Sequence, residues 1–140
     1  MISVKEIVKY LHEKYNTTNP FTIAKRKNII ILHENLGKTL GYCNTYKRQK
    51  IIHINENIEE KESFFVCAHE LAHILMHPDV NTPFLKRNTL FSIDKIEREA
   101  NTFAVEFLMP DYMFTENDCS SLYNVAHSLG IPENLIHLKK

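Results

Sequence analysis

The chain has few cysteines and no excess of charge of either sign. Its three cysteines, Cys43, Cys67 and Cys119, are scattered and form no Cys-x-x-Cys pair. This pattern argues against a disulfide framework and favours a reducing compartment. Lysine and arginine together number 17, and so do aspartate and glutamate. The balance argues against a global basic field that would attract nucleic acid or anionic lipid.

The chain also lacks long apolar runs. No segment approaches the length of a transmembrane helix, and the N-terminus has no signal-peptide hydrophobic region. There is no internal repeat, low-complexity tract or linker. A chain of 140 residues is long enough for a single core. We therefore expect one domain over residues 1–140, in a protein of the cytoplasm.

The predicted elements follow the order helix, strands, helices, which indicates the α+β class. An amphipathic helix begins after Ser3 and ends before Asn19 and Pro20, and a short helix follows over 22–27. Segments 28–33, 40–46 and 50–55 are rich in Ile and Tyr and predict three short antiparallel strands. An exposed edge of such a sheet could hold an extended peptide, but the sequence does not indicate which strand forms it.

Residues 69–73 read His-Glu-Leu-Ala-His, within a run that predicts a helix over 57–77, ahead of Pro78. Residues four apart on a helix share a face, so the imidazoles of His69 and His73 can bind one Zn²⁺. Glu70 follows the first histidine, where a carboxylate can reach a metal-bound water without being a ligand. Two ligands and a general base on one helical turn are typical of zinc peptidases.

A second predicted helix, over 96–108, supplies a candidate third ligand. Catalytic zinc sites usually have three protein ligands and a water. Glu99 borders the apolar face of this helix, whereas Glu97 lies about 200° away around it. We therefore expect Glu99 to be the ligand and Glu97 to point toward solvent. A carboxylate on the inner edge of a helix is rarely left unpaired, and zinc would be its partner.

Two blocks of the sequence resemble the ImmA/IrrE metallopeptidase family. Residues 65–77, which contain the His-Glu-Leu-Ala-His motif, look like the active-site helix of that family. Residues 97–110 are close to its Glu-Ala-Asn-x-Phe-Ala…Leu-Met-Pro signature. Weaker likeness extends upstream to 19–21 and 54–55, so the resemblance covers most of the chain.

The resemblance implies a small zincin-like metallopeptidase domain, with a short antiparallel sheet packed on the motif helix and a helical C-terminus. It implies His69, His73 and Glu99 as zinc ligands and Glu70 as the general base. Members of the family act on helix-turn-helix repressors of phages and integrative elements, or on stress-response regulators. We therefore expect a zinc-dependent endopeptidase that cleaves such a repressor and so acts as an anti-repressor in transcription regulation. We expect no direct nucleic acid or membrane partner.

Several other polar residues receive simpler roles. His77 continues the four-residue spacing, but three ligands suffice, so we expect it to cap the helix or to support a ligand. Cys67 is expected to be a small buried residue. Tyr112, just after the second block, is one candidate for stabilising an oxyanion. Asn101 is expected to face away from the site.

Two functions of other classes stay open. The chain could bind and sequester a repressor and use zinc structurally, although a structural site has no use for Glu70. Residues 123–136 resemble the turn of a helix-turn-helix, which would suit a DNA-binding regulator. The second helix, however, would offer Glu133, Asn134 and His137 rather than basic residues. We expect a helical pair that packs against the core.

Overall fold

A small sheet packs against helices in the computed structural model, which describes residues 2–78, 95–114 and 119–140, without the side chains of 119–121. The chain order is α1 (Val4–Tyr15), α2 (Pro20–Arg26), β1 (Ile30–Glu34), β2 (Gly41–Tyr46), β3 (Gln49–Asn55), α3 (Glu60–Met76), α4 (Lys95–Leu108) and α5 (Cys119–Ser128), with 3-10 helices at Asp111–Met113 and Glu133–Leu138. The predicted α+β class is confirmed. No helix in the described ranges is long and apolar enough to span a membrane.

The three-stranded sheet is mixed, with the order β1-β3-β2. β2 and β3 form an antiparallel hairpin in which Tyr46 pairs with Gln49. β1 pairs with β3 in parallel, so the antiparallel arrangement expected for all three strands is wrong for this pair. The reason is that the chain crosses the end of β3 after leaving β1. The amide of Asn55 fixes this crossing by donating to the carbonyls of Gly37 and Thr39, at 3.0 and 2.9 Å.

α3 packs against one face of the sheet and is buried along most of its length. Residues 65–73 are all buried, because the sheet covers one side of this helix and α4 covers another. α3 begins at Glu60, later than the predicted start at Asn57. Asn57 instead belongs to the turn after β3, where its N–H donates to Asn55 Oδ1 at 2.9 Å. The largest fully buried apolar side chains are Phe65, Phe103, Phe107, Ile23, Ile52, Ile54, Leu71 and Met109.

The C-terminal segment packs on the core, as expected from the sequence. The second of its helices is a six-residue 3-10 helix, Glu133–Leu138, in which Leu135 and Ile136 are buried. Gly130 in the preceding turn has a φ of +76°, and a Cβ there would lie 2.3 Å from the carbonyl oxygen of Lys61 on α3. Glu133, Asn134 and His137 lie on the exposed side of this 3-10 helix, opposite the buried Leu135 and Ile136.

β2 approaches α3 closely at Gly41. A Cβ at this position would lie 2.5 Å from Val66 Cγ1 and 2.7 Å from the carbonyl oxygen of His53. We expect Gly41→Ala to lower the free energy of unfolding by about 1–3 kcal/mol, because β2 must move away from α3. Urea denaturation measures the change, with the exposed Thr45→Ala as the control. An unchanged unfolding midpoint for Gly41→Ala would contradict the close approach.

Candidate metal centre

Three buried side chains from α3 and α4 converge at one point. His69, His73 and Glu97 are 0, 2 and 2% exposed, and their potential ligand atoms all lie within 4.8 Å of one another. The Nε2 atoms of the two histidines are 3.1 Å apart. Glu97 Oε2 lies 3.1 Å from His69 Nε2, and Glu97 Oε1 lies 3.0 Å from His73 Nε2. The two histidines therefore share a face of α3 as predicted, and α4 brings a carboxylate to them.

The spacing and chemistry of this cluster fit one metal ion. Tetrahedral zinc ligands at bond lengths of 2.0–2.2 Å lie roughly 3.3 Å from one another, close to the separations seen here. Glu97 Oε1 is buried and makes no hydrogen bond with the described residues. A buried, unpaired carboxylate oxygen is unfavourable, and a cation would satisfy it. Two imidazoles and one carboxylate form a donor set that catalytic zinc sites use.

The electrostatics of the cluster favour a charged Glu97. Burial alone would raise the pKa of this carboxyl, but the neighbouring imidazoles of His69 and His73 outweigh burial and lower the pKa to about 2. Glu97 is therefore an anionic partner for the two imidazoles at neutral pH.

Asn101 contacts the other nitrogen of His69. Its Oδ1 lies 2.8 Å from His69 Nδ1, and its side chain is 2% exposed. If Asn101 Oδ1 accepts the Nδ1–H of His69, Nε2 of His69 has the lone pair with which an imidazole binds a metal ion. The expectation that Asn101 faces away is therefore wrong. Glu97 and Asn101 are four residues apart, so one face of α4 reaches both nitrogens of one imidazole.

The structure corrects the expected placement of Glu97 toward solvent. Glu97 lies in the cluster rather than in solvent. Glu99 lies outside the cluster, partly exposed, with its Oε2 3.9 Å from His77 Nε2. His77 is itself close to the cluster, since its Nδ1 lies 3.2 Å from His73 Nδ1.

The physical reason for this correction is that α4 is buried on two sides. Ala100 and Phe103 belong to the apolar core, whereas Glu97 and Asn101 form a polar stripe that is equally buried against α3. The prediction from the sequence assumes that each helix has one buried face, which is apolar. Under that assumption the polar stripe is expected to face solvent. The four-residue spacing of Glu97 and Asn101 was the signal in the sequence that could have identified it.

Glu70 lies on the same turn of α3 as the two histidines. It is 1% exposed, and neither carboxylate oxygen forms a hydrogen bond with the described residues. Burial raises the pKa of Glu70 to about 8, and the negative charge of Glu97 adds to the effect, while His73 and the Cys43 thiol act in the opposite direction. A cation in the cluster would favour the ionised form.

The edge of the described sheet beside Glu70 is β2. The side chain of Cys43 reaches Glu70 from this strand. Asn55 N donates to Leu40 O at 2.9 Å, which sets the alternation of hydrogen bonds along the antiparallel ladder. By that alternation, the backbone N–H and C=O groups of Gly41 and Thr45 point away from β3. Of the two edge strands of the described sheet, β2 is therefore the one that lies beside the cluster.

Two further residues considered in the sequence lie apart from the cluster. Tyr112 is 76% exposed and lines a cavity of about 770 Å³ beside α1, together with Lys5 and His12. That cavity contains none of the candidate ligands, so the oxyanion role suggested for Tyr112 gains no support. Cys67 is fully buried, and burial raises the pKa of its thiol, in keeping with the small core residue expected.

Comparison with known proteins identifies the family. Residues 24–139 match the model of the IrrE N-terminal-like domain, peptidase family M78. The chain belongs to the IrrE-like peptidase family. The IrrE-like chain is 45% identical over 139 residues to "Uncharacterized immunity region protein 2" of Bacillus phage phi105. This alignment spans 97% of the chain and 88% of the phage protein. The chain is 34% identical over 115 residues to "Metallopeptidase ImmA" of Bacillus subtilis (strain 168), covering 81% of the chain and 67% of ImmA.

These relatives confirm the resemblance to the ImmA/IrrE family. The matched region of the IrrE-like chain includes α3 and α4, which carry the buried cluster. One relative is named as a metallopeptidase, and the other is named for a phage immunity region. The name of the metallopeptidase relative agrees with the metal-binding chemistry that the cluster suggests.

Proposed function

We propose that this IrrE-like chain is a zinc-dependent endopeptidase, with His69, His73 and Glu97 as zinc ligands and Glu70 as the general base. The observation that carries the proposal is the buried cluster of two imidazoles and a carboxylate beside a second carboxyl group that forms no hydrogen bond with the described residues. A structural zinc site closes its fourth position with another protein ligand, whereas the described residues offer three. When bound, zinc supplies Lewis-acid polarisation of a carbonyl oxygen and acidifies water.

Glu70 moves the protons of the reaction. It accepts a proton from the attacking water and passes it to the amine that leaves the cleaved bond. Both transfers need a carboxyl group that can lose and regain a proton. Burial raises the pKa of Glu70, and a cation in the cluster would act in the opposite direction, toward the ionised form that a base needs. Its two unpaired oxygens leave it free to face the reacting groups.

An extended segment of a protein is the substrate form that suits the site. A peptide paired with β2 through the outward backbone groups of Gly41 and Thr45 would pass beside Glu70, because Cys43 lies between them on the same strand. Pairing of this kind requires a segment free of helix and sheet, such as a linker between folded parts. This requirement favours cleavage of a protein at an exposed connection.

We infer that the substrate is a helix-turn-helix repressor of a phage or mobile element, and that the chain acts as an anti-repressor in the cytoplasm. The resemblance to the ImmA/IrrE family supports this assignment, and so does the relative named for a phage immunity region. We expect no direct nucleic-acid partner.

Co-expression with the helix-turn-helix repressor encoded nearest its gene tests the proposal. We expect immunoblots to show a shortened repressor with the wild-type chain and a full-length repressor with Glu70→Gln. A repressor that stays full-length with both, while still active, would contradict the substrate assignment. A full-length repressor that both chains inactivate would instead support sequestration without cleavage.

A further inference from the structure

His77 faces the nitrogen of His73 that points away from the cluster. The Nδ1 atoms of the two rings are 3.2 Å apart, and the ring centroids are 5.4 Å apart. Nε2 of His73 faces Glu97, so a metal bound there leaves the ring hydrogen of His73 on Nδ1. Only one hydrogen fits between two nitrogens at this distance. His73 Nδ1 must therefore donate, and His77 Nδ1 must accept.

A His77 ring that accepts at Nδ1 carries its own hydrogen on Nε2. This nitrogen is buried and forms no hydrogen bond with the described residues. The carboxylate of Glu99 lies in its direction, with Oε2 at 3.9 Å. This distance is too long for a direct hydrogen bond. The Glu99 side chain is 37% exposed, so it has room to approach, and a bridging water would serve equally.

The ring of His77 is also held in place by the backbone. His77 is the C-cap of α3, and its N–H donates to the carbonyl oxygen of His73 at 2.8 Å. Pro78 follows directly and cannot continue the helix. The side chain is 10% exposed, between His73 on one side and Glu99 on the other. If His77 only interacted with the helix dipole, it would need neither His73 nor Glu99 beside it.

We propose that Glu99 and His77 are positioning residues that act on the metal through His73. Glu99 holds His77 in the tautomer with hydrogen on Nε2, and His77 then accepts from His73 Nδ1 and aims His73 Nε2 at the metal. The inference rests on the proposed function, because it needs a metal ion at the cluster. The two candidate histidine ligands would then be oriented by different groups. The Asn101 amide orients His69, and the His77–Glu99 pair orients His73.

The test is the affinity of the purified full chain for Zn²⁺, measured by competition with a chromogenic chelator. His77→Leu removes the acceptor, and we expect it to raise the dissociation constant about 10–100-fold. His77→Gln offers an amide oxygen in its place and should recover part of the loss. Glu99→Gln should weaken binding in the wild-type background and add little to His77→Leu, because the two residues act in series. The exposed His137→Leu is the matched control.

Two further readouts separate positioning from a general structural role. Thermal unfolding of the metal-free variants should match that of the metal-free wild type. In the zinc-loaded protein, ¹⁵N NMR of the imidazoles should show His77 neutral with hydrogen on Nε2, and Glu99→Gln should shift it toward the other tautomer. A wild-type dissociation constant for His77→Leu would overturn the positioning role. A wild-type chain that binds no Zn²⁺ would overturn the proposed function and this role with it.

Discussion

Replacing Glu70 with glutamine is expected to abolish peptide hydrolysis while leaving metal binding intact. Glutamine has nearly the same shape as glutamate, so the packing of α3 around this buried position should survive. An amide cannot accept the proton of the attacking water, and loss of a general base typically lowers the rate about 10²–10⁴-fold. The turnover number on purified repressor and the zinc content of the same preparation measure the two effects.

The control for this variant is Glu60→Gln, in the exposed first turn of the same helix. It makes the same chemical change away from the cluster and should leave turnover unchanged. A Glu70→Gln protein that cleaves at the wild-type rate would refute the role of Glu70. A Glu70→Gln protein that has lost its zinc would indicate that Glu70 helps to hold the metal.

Replacing Glu97 with alanine is expected to remove zinc binding, with a loss well beyond the roughly 10–100-fold effect of outer partners. Glu97 supplies the only carboxylate in the cluster formed by the described residues. Wild-type protein should unfold at a higher temperature when Zn²⁺ is added, because the ion binds the folded state alone. Glu97→Ala should show no such rise.

Glu99→Ala is the matched comparison, two residues along the same helix. It should still bind zinc, with an affinity lowered only through His77, and should keep most of the zinc-dependent rise in unfolding temperature. If Glu99→Ala lost the metal and Glu97→Ala kept it, the ligand set would return to the one expected from the sequence.

Local patterns in the sequence were sufficient to predict the half of the candidate site that lies on α3. His69 and His73 share a face because they are four residues apart, and Glu70 lies beside them for the same reason. These relations hold within any helix, so no knowledge of its neighbours is needed. The burial of the motif could likewise be expected from the apolar residues around it.

The half of the site on α4 depends on long-range packing. Whether Glu97 or Glu99 faces α3 depends on which two sides of α4 are covered by the rest of the protein. Sequence periodicity alone cannot distinguish a buried polar stripe from a solvated one. The parallel pairing of β1 with β3 was missed for a related reason. It depends on how the chain crosses from β1 to β2, where Asn55 bonds to the connecting loop.

The cluster joins two helices whose facing residues, His69 and Glu97, are 28 positions apart in the chain. An ion held there would close a loop in the way that a disulfide does and would make the α3–α4 contact costly to open. Copies without the ion would retain a buried, unpaired carboxylate oxygen and would open more often at this contact. Cellular proteases that degrade partly open proteins would then clear the inactive copies first. The lifetime of the peptidase in a cell would follow the supply of zinc.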